Sequence, residues 1–286
     1  MSPSAYHVNR PARDTSCVVF ASPHSGRAYP WSFLKSSVLD ELAIRSSEDA
    51  FVDQLFDFAP EFGARFLVAG APRAYVDLNR AADELDPALI EGVRRLGHNP
   101  RVASGLGVIP RVVSNGRAIY RGKMTRFEAE HRIATFWKPY HAMLQTLLDE
   151  AHNRHGQAVL IDCHSMPHEA VDGIGRGGGM RPDVVLGDRF GAAAGGEVVD
   201  RIEDAFSNAG FNVVRNAPFA GAYIVQAYGR PTRGQHAVQV EIDRSLYMNE
   251  ACIAPNADFE KVRARLRQVV GQIAQIGQGR IPLAAE

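Results

Sequence analysis

Ala158-Val-Leu-Ile-Asp-Cys-His-Ser165 decides how this chain is read. Residues 158–162 hold an apolar run of the kind a buried strand requires. The run ends in a polar cluster, Cys163-His164-Ser165. The same pattern occurs earlier, where Cys17-Val-Val-Phe-Ala-Ser22 leads into the turn Pro23-His24-Ser25-Gly26. A third strand, Ala237 to Ile242, carries one charged residue, Glu241. In open α/β sheets ligands gather at the C-terminal ends of strands. His24 and His164 both stand at such ends. A glutamate in an apolar strand is costly if buried and unpaired, so Glu241 faces either solvent or a polar site.

Around these runs, strands alternate with helices. Further strands are expected at Arg65–Ala69, Ala74–Leu78, Asp183–Leu186, Phe211–Arg215 and Ala222–Gln226. Helical spacing marks Ala50–Ala59, with Phe51, Leu55 and Phe58 on one side. Arg126–Arg154 reads as a long helix or helix pair, with Pro139 as a kink or break. Glu197–Asn208 is amphipathic and closed by Gly210, and a last helix spans Phe259–Ile276. This is the pattern of an α/β sheet layered by helices. No internal repeat or linker divides it. Residues 1–286 are therefore read as one domain with an irregular insertion near 83–122, rich in Pro and Gly.

Composition narrows the function classes. The chain has 286 residues, 45% of them hydrophobic, enough for a real core. Charges balance, with 32 basic and 32 acidic side chains, so nothing favours nucleic acid or an anionic membrane as partner. A small-molecule substrate is the default. Three cysteines, Cys17, Cys163 and Cys252, form no disulfide framework and no zinc-finger spacing, which fits a reducing cytosol. Residues 1–16 show no signal-peptide pattern, and no window reads as a transmembrane span.

Catalytic zinc commonly takes three protein ligands from His and carboxylate and keeps a position for water. Besides the two histidines, Glu48, Asp49 and Asp162 could complete such a set. Two further arrangements are open. Cys163 adjoins His164, but neighbours on a strand point to opposite faces, which argues against a Cys–His pair. The glycine-rich stretch 173–179 lacks both the P-loop ending and the dinucleotide fingerprint, so a mobile loop over the site is the better reading.

Several phrases occur in an order that carries more than any one of them. They are Pro23-His-Ser-Gly26 with Tyr29-Pro30, Val76-Asp-Leu-Asn-Arg80, Ile161-Asp-Cys-His-Ser-Met166, Asn216-Ala-Pro-Phe-Ala-Gly221 with Tyr228-Gly229, and Val240-Glu-Ile-Asp-Arg244 with Leu246-Tyr-Met248. The set resembles the N-formylglutamate amidohydrolases over roughly residues 17–250. Asp-Leu-Asn-Arg also resembles a phrase of zinc carboxypeptidases. The resemblance implies a mixed central sheet with helices on both faces, zinc carboxypeptidase-like and of the phosphorylase/hydrolase-like kind. It implies one Zn2+ ion per chain and hydrolysis of the amide bond of N-formyl-L-glutamate or a similar N-acyl amino acid. For that substrate the products are formate and glutamate, the last step of one route of histidine breakdown.

The same resemblance implies roles. His24 and His164 are the zinc ligands, with Asp49 as the third and Glu48 as its alternative; both acids could also be capping the next helix. Glu241 is the general base, or else a solvent-facing strand glutamate or one in a structural ion pair with Arg244. Arg80 holds a substrate carboxylate through its rigid fork, Asn79 assists, and Asp77 positions Arg80 or the backbone. Arg73 is a candidate for a second carboxylate, and Arg176 for another contact. Asp162 shares a strand face with His164 and orients it. Ser165, Tyr228 and Tyr247 are pocket candidates. His98, His131 and His141 are read as structural. The remaining alternatives are another N-acyl amino acid or small peptide as substrate, and an inactive homologue that only binds an amino acid.

Overall fold

A computed structural model describes residues 4–94, 99–174 and 181–278. Seven strands form one mixed sheet in the order β1-β3-β2-β4-β7-β5-β6. They are β1 (Tyr6–Asn9), β2 (Val18–Ser22), β3 (Arg65–Ala69), β4 (Ala158–Met166), β5 (Val184–Gly187), β6 (Val213–Arg215) and β7 (Gln235–Asp243). A two-stranded ribbon, β8 (Met248–Asn249) and β9 (Ala254–Pro255), stands apart. β3, β2, β4 and β7 run parallel, β1 joins antiparallel at one edge, and β5 pairs antiparallel with β7. The helices are α1 (Trp31–Ser36), α2 (Glu41–Ile44), α3 (Val52–Leu55), α4 (Pro100–Ala103), α5 (Arg126–Arg132), α6 (Lys138–His155), α7 (Gly196–Asn208), α8 (Tyr223–Tyr228) and α9 (Phe259–Ile273).

Strand alternation sorts the core into two layers. Val18 and Phe20 of β2, Val159, Ile161 and Cys163 of β4, and Val238, Val240 and Ile242 of β7 pack with α3, α7 and α9. Val19, Ala21, Ala158, Leu160 and Ala237 face the other way, against α5, α6 and α8. Both sheet faces are thus covered, which explains the unbroken apolar runs. On β4, Asp162 and His164 have the parity of the α6 side.

Several local readings are corrected. Residues 74–78 form a turn, not a strand: Tyr75 and Val76 donate to Pro72 O, and Asp77 donates to Val108 O. Residues 222–226 are not a strand either, but lie largely in α8, where Ile224, Val225 and Tyr228 are buried on one side. The first amides of α8 are met by distant side chains: Ala222 N donates to Gln239 Oε1 and Ile224 N to Asn79 Oδ1. The helix expected over 50–59 is reduced to α3 and a 3-10 turn at Ala59–Phe62. Phe51 sits at φ 66, where a helix cannot pass through it. Residues 126–155 form one helical run in which a π turn, Ile133–Trp137, comes just before Pro139. The wider turn accommodates the proline ring and its missing N–H. Within 83–122, α4 and a 3-10 turn at Ser114–Gly116 are the helical pieces among the described residues.

Candidate active site

The strand order reverses direction at β2: the chain leaves it toward β3 on one side and returns as β4 on the other. That switch point opens a crevice beyond the carboxyl ends of the two strands. His24 follows β2, and His164 lies near the end of β4. Glu241 of β7 stands opposite His164 in register. Three adjacent parallel strands therefore deliver the three groups to one edge of the sheet.

The turn carrying His24 is pressed against the backbone. A Cβ on Gly26 would lie 2.2 Å from Ala71 O, so only glycine fits there. Asp49 N donates to His24 O at 3.0 Å, which ties the two segments together. His24 Nε2 lies 2.7 Å from Asp77 Oδ1. His24 Nδ1 is buried, has no hydrogen-bond partner, and lies 3.4 Å from Asp49 Oδ2. His164 Nδ1 is 2.9 Å from the same oxygen. His164 Nε2 is 3.0 Å from Asp162 Oδ2 and 3.2 Å from the Asn79 amide nitrogen. Arg244 Nη2 donates to the other Asp49 oxygen at 2.9 Å, and its Nε to Ser165 Oγ at 3.1 Å. One ligand atom each from His24, Asp49 and His164 fall within 4.8 Å of one another.

Burial alone would raise the Asp49 carboxyl, but hydrogen bonds and charge from His164 and His24 outweigh it and hold it well below its ordinary value. Asp77 is likewise lowered against its burial, by His24 and Arg73. Burial would depress His164, yet Asp162 and Asp49 raise it well above the ordinary imidazole. Glu241 differs: burial pushes it up to about 7, opposed by His164, reinforced by Asp49. Gln239 Nε2 donates to Glu241 Oε1 at 2.7 Å. Arg244 reaches Asp49, so the expected alternative of an Arg244–Glu241 pair is not what forms.

Glu48 turns away from the cluster. It accepts from Tyr29 Oη at 2.6 Å and pairs with Arg45 at 3.1 Å. Neither acid caps the next helix, whose N-cap position is Phe51, without a side-chain cap. Arg80 is buried, with Nε donating to Leu106 O and Nη1 to Asn79 O. Among the described residues no carboxylate lies within the 4.0 Å ion-pair distance of its guanidinium. Asn79 lines the crevice, but Oδ1 serves Ile224 N and Nδ2 faces His164 and Gln239. Arg73 lines it too, with Nε on Asp77 Oδ2 at 3.1 Å. Asp77 therefore touches His24, Arg73 and, as the backbone alternative had it, the Asn79 N–H at 2.8 Å, rather than Arg80.

Tyr228 is a correction. Its hydroxyl bonds His141 Nδ1 at 2.9 Å, the rings stack, and it is absent from the cavity wall. Tyr247 donates to Ala50 O in the core, also off the cavity. Ser165 lines the cavity. Cys163 packs on the opposite sheet face, away from His164, and burial pushes its thiol up, so it is no nucleophile for this crevice. Arg176 lies outside the described residues, as does most of the 173–179 loop.

The cavity measures about 440 Å³. A larger hollow of about 890 Å³, beside Asp83 and Arg94, contains none of these groups. Sequence reasoning missed Gln239 and the role of Arg244. Strand parity could have found Gln239, two positions before Glu241 on the same face.

Fold and site together define an α/β protein with a buried His–Asp–His cluster at the switch point of its sheet. The sequence profile of the N-formylglutamate amidohydrolase family matches residues 16–248, and the chain belongs to that family. It is 31% identical to an N-formylglutamate deformylase of Pseudomonas aeruginosa over 92% of this chain and 94% of the relative. A Pseudomonas putida N-formylglutamate deformylase is 29% identical over 82% of each chain. The crystal structure of N-formylglutamate amidohydrolase from Ralstonia eutropha JMP134 superposes with a TM-score of 0.89, at 33% identity, covering 96% of this chain and 98% of that one. Among the described residues no helix is long and apolar enough to cross a membrane.

Proposed function

We propose that this chain is a zinc-dependent amidohydrolase of the cytosol that cleaves N-formyl-L-glutamate to formate and L-glutamate. The observation that carries the reading is the convergence of His24 Nδ1, Asp49 Oδ2 and His164 Nδ1, with Glu241 one strand over and in register. The residues fit a zinc ion. His24 Nδ1 is a buried nitrogen without a partner, and two imidazoles with one carboxylate are a normal catalytic donor set. Asp77 behind His24 accepts the opposite ring N–H, and the Asp162 carboxylate lies 3.0 Å from His164 Nε2, so both Nδ1 atoms face the site where a metal would be held. When bound, zinc acidifies water and polarises a carbonyl.

The chain's own groups supply the rest. Glu241 takes a proton from the attacking water as its oxygen bonds the formyl carbon. Its pKa near 7 suits both acceptance and release of a proton. As the C–N bond breaks, the same proton goes to the leaving nitrogen. Arg80, buried without a carboxylate partner among the described residues, holds a substrate carboxylate with its free guanidinium edge. Arg73 adds positive charge to the same wall. Arg101, Ser104, Leu106, Pro110 and Val112 of the insertion line one wall of this single domain's cleft.

The test is hydrolysis of N-formyl-L-glutamate by purified protein with its metal content measured, before and after chelation and zinc return. Turnover that disappears with the metal and returns with zinc supports the proposal. One bound zinc without turnover overturns the substrate, and a panel of N-acyl amino acids follows. Turnover unaffected by complete metal removal overturns the metal.

A further inference from the structure

The insertion places a second unmatched cation in the cleft. Arg101 opens α4, and its side chain lines both the catalytic cavity and an adjoining hollow of about 490 Å³ that Arg80 also lines. The ion pairs around the catalytic cavity leave two arginines over. Asp49 is matched by Arg244, Asp77 by His24 and Arg73, and Glu241 is held by Gln239. Arg80 and Arg101 remain. Among the described residues neither guanidinium has a carboxylate within the 4.0 Å ion-pair distance.

The segment behind Arg101 is held firmly. The Asn99 side chain accepts from Arg101 N and Val102 N, and its own amide donates to Glu84 Oε2 at 3.1 Å. Arg111 is fixed on Asp86 at 2.8 Å and reaches Ala103 O. Leu106 O accepts from Arg80 Nε, so the segment that carries Arg101 also grips Arg80. Burial lowers the Arg80 guanidinium, Asp77 opposes that, and the charges of Arg73 and then Arg101 add to the lowering. Like charges held near each other in one cleft cost energy unless anions come between them.

We propose that Arg101 is the specificity-determining residue that takes the second carboxylate of a dicarboxylic N-acyl amino acid, while Arg80 takes the first. This deepens the reading above and rests on it. A monocarboxylic substrate leaves Arg101 unmatched, and a dicarboxylic one neutralises both arginines. The preference for an acidic side chain is thus written in the insertion rather than in the strand-borne machinery. Arg101 is exposed in the open cleft, so replacing it removes no packing.

The experiment compares N-formyl-L-glutamate with N-formyl-L-glutamine, its neutral isostere, on zinc-loaded wild type, Arg101→Ala and Arg101→Lys. Wild type prefers the glutamate compound by roughly 30-fold in kcat/KM, the worth of one charged hydrogen-bonded contact. In Arg101→Ala that ratio falls to about one, through a rise in KM for the glutamate compound with little change in kcat. Arg101→Lys falls between, because an ammonium keeps the charge and loses the fork. A preference ratio unchanged in Arg101→Ala overturns the proposal, and so does an equal loss on both compounds. If wild type cleaves neither compound, the substrate reading falls separately. Arg101 is then judged by binding of glutarate and butyrate: a selective loss of glutarate in Arg101→Ala sustains the subsite, and equal binding by both proteins overturns it.

Discussion

His141→Gln should make the protein less sensitive to acid. His141 is buried on α6, with Nε2 donating to Leu78 O at 2.9 Å and Nδ1 facing the Tyr228 hydroxyl. Burial pushes its pKa from 6.5 down to about 4, only partly offset by the Leu78 carbonyl. The native state therefore refuses a proton that the unfolded chain accepts. Stability is full above pH 6.5 and is lost as pH falls toward about 4, because in that window the unfolded state binds more protons. One pKa unit is worth about 1.36 kcal/mol, so the loss reaches about 2 kcal/mol at about pH 5 and about 3 kcal/mol at about pH 4. Glutamine retains a donor for Leu78 O but cannot titrate. Urea unfolding of both proteins from about pH 8 to about pH 4 gives two curves. His164, raised in the native state, and the carboxylates affect both equally and drop out of the difference. The difference should change by about 3 kcal/mol across the range, in favour of the variant at low pH. A difference flat to within about half a kcal/mol would refute the argument that His141 is held neutral by burial.

Glu241→Gln should keep the Gln239 contact and bound zinc yet lower kcat by roughly 10²- to 10⁴-fold, read by steady-state kinetics with metal analysis. Residual activity near wild type would remove Glu241 from proton transfer. Arg244→Met frees Asp49 from the group that orients it, so zinc affinity should fall roughly 10- to 100-fold in competition with a chelator. Gly26→Ala drives a methyl into Ala71 O, so zinc affinity and melting temperature should both fall, whereas unchanged values would show that the turn adjusts freely.

The parts of this site that could be read in the sequence are those made by one strand at a time. His24 and His164 announced themselves by standing after buried runs, and Glu241 by its charge inside another. What could not be read depends on pairing across the chain. Arg244 serves Asp49 from 195 positions away, so no local spacing reveals it. α8 looked like a strand because Ile224 and Val225 are β-branched, and its amides are satisfied by Asn79 and Gln239, which the segment itself does not contain. The turn at 74–78 has the same origin, since Asp77 N bonds Val108 O within the insertion. Tyr228 was drawn toward the pocket by its place in a shared phrase. The structure uses it instead to hold His141, which with Trp137 grips the carbonyls of Leu78 and Arg80. Motif position showed that these residues matter together, and packing decided which of them face the cleft.

The parallel pairing of β2 with β4 also governs when the ligand set comes into being. Val18 meets Val159 and Ala21 meets Asp162, so more than a hundred residues must be enclosed before the two histidines are neighbours. Closing so long a loop is slow and comes late in assembly. On the proposed zinc reading, the complete ligand set is therefore not yet assembled while the segment between the two strands is still open. Asp77 braces His24 from behind at 2.7 Å and Arg244 braces Asp49 at 2.9 Å. On that zinc reading, loading is then an event of the finished fold, and the supply of metal would set how much of this chain is active rather than how much of it is folded.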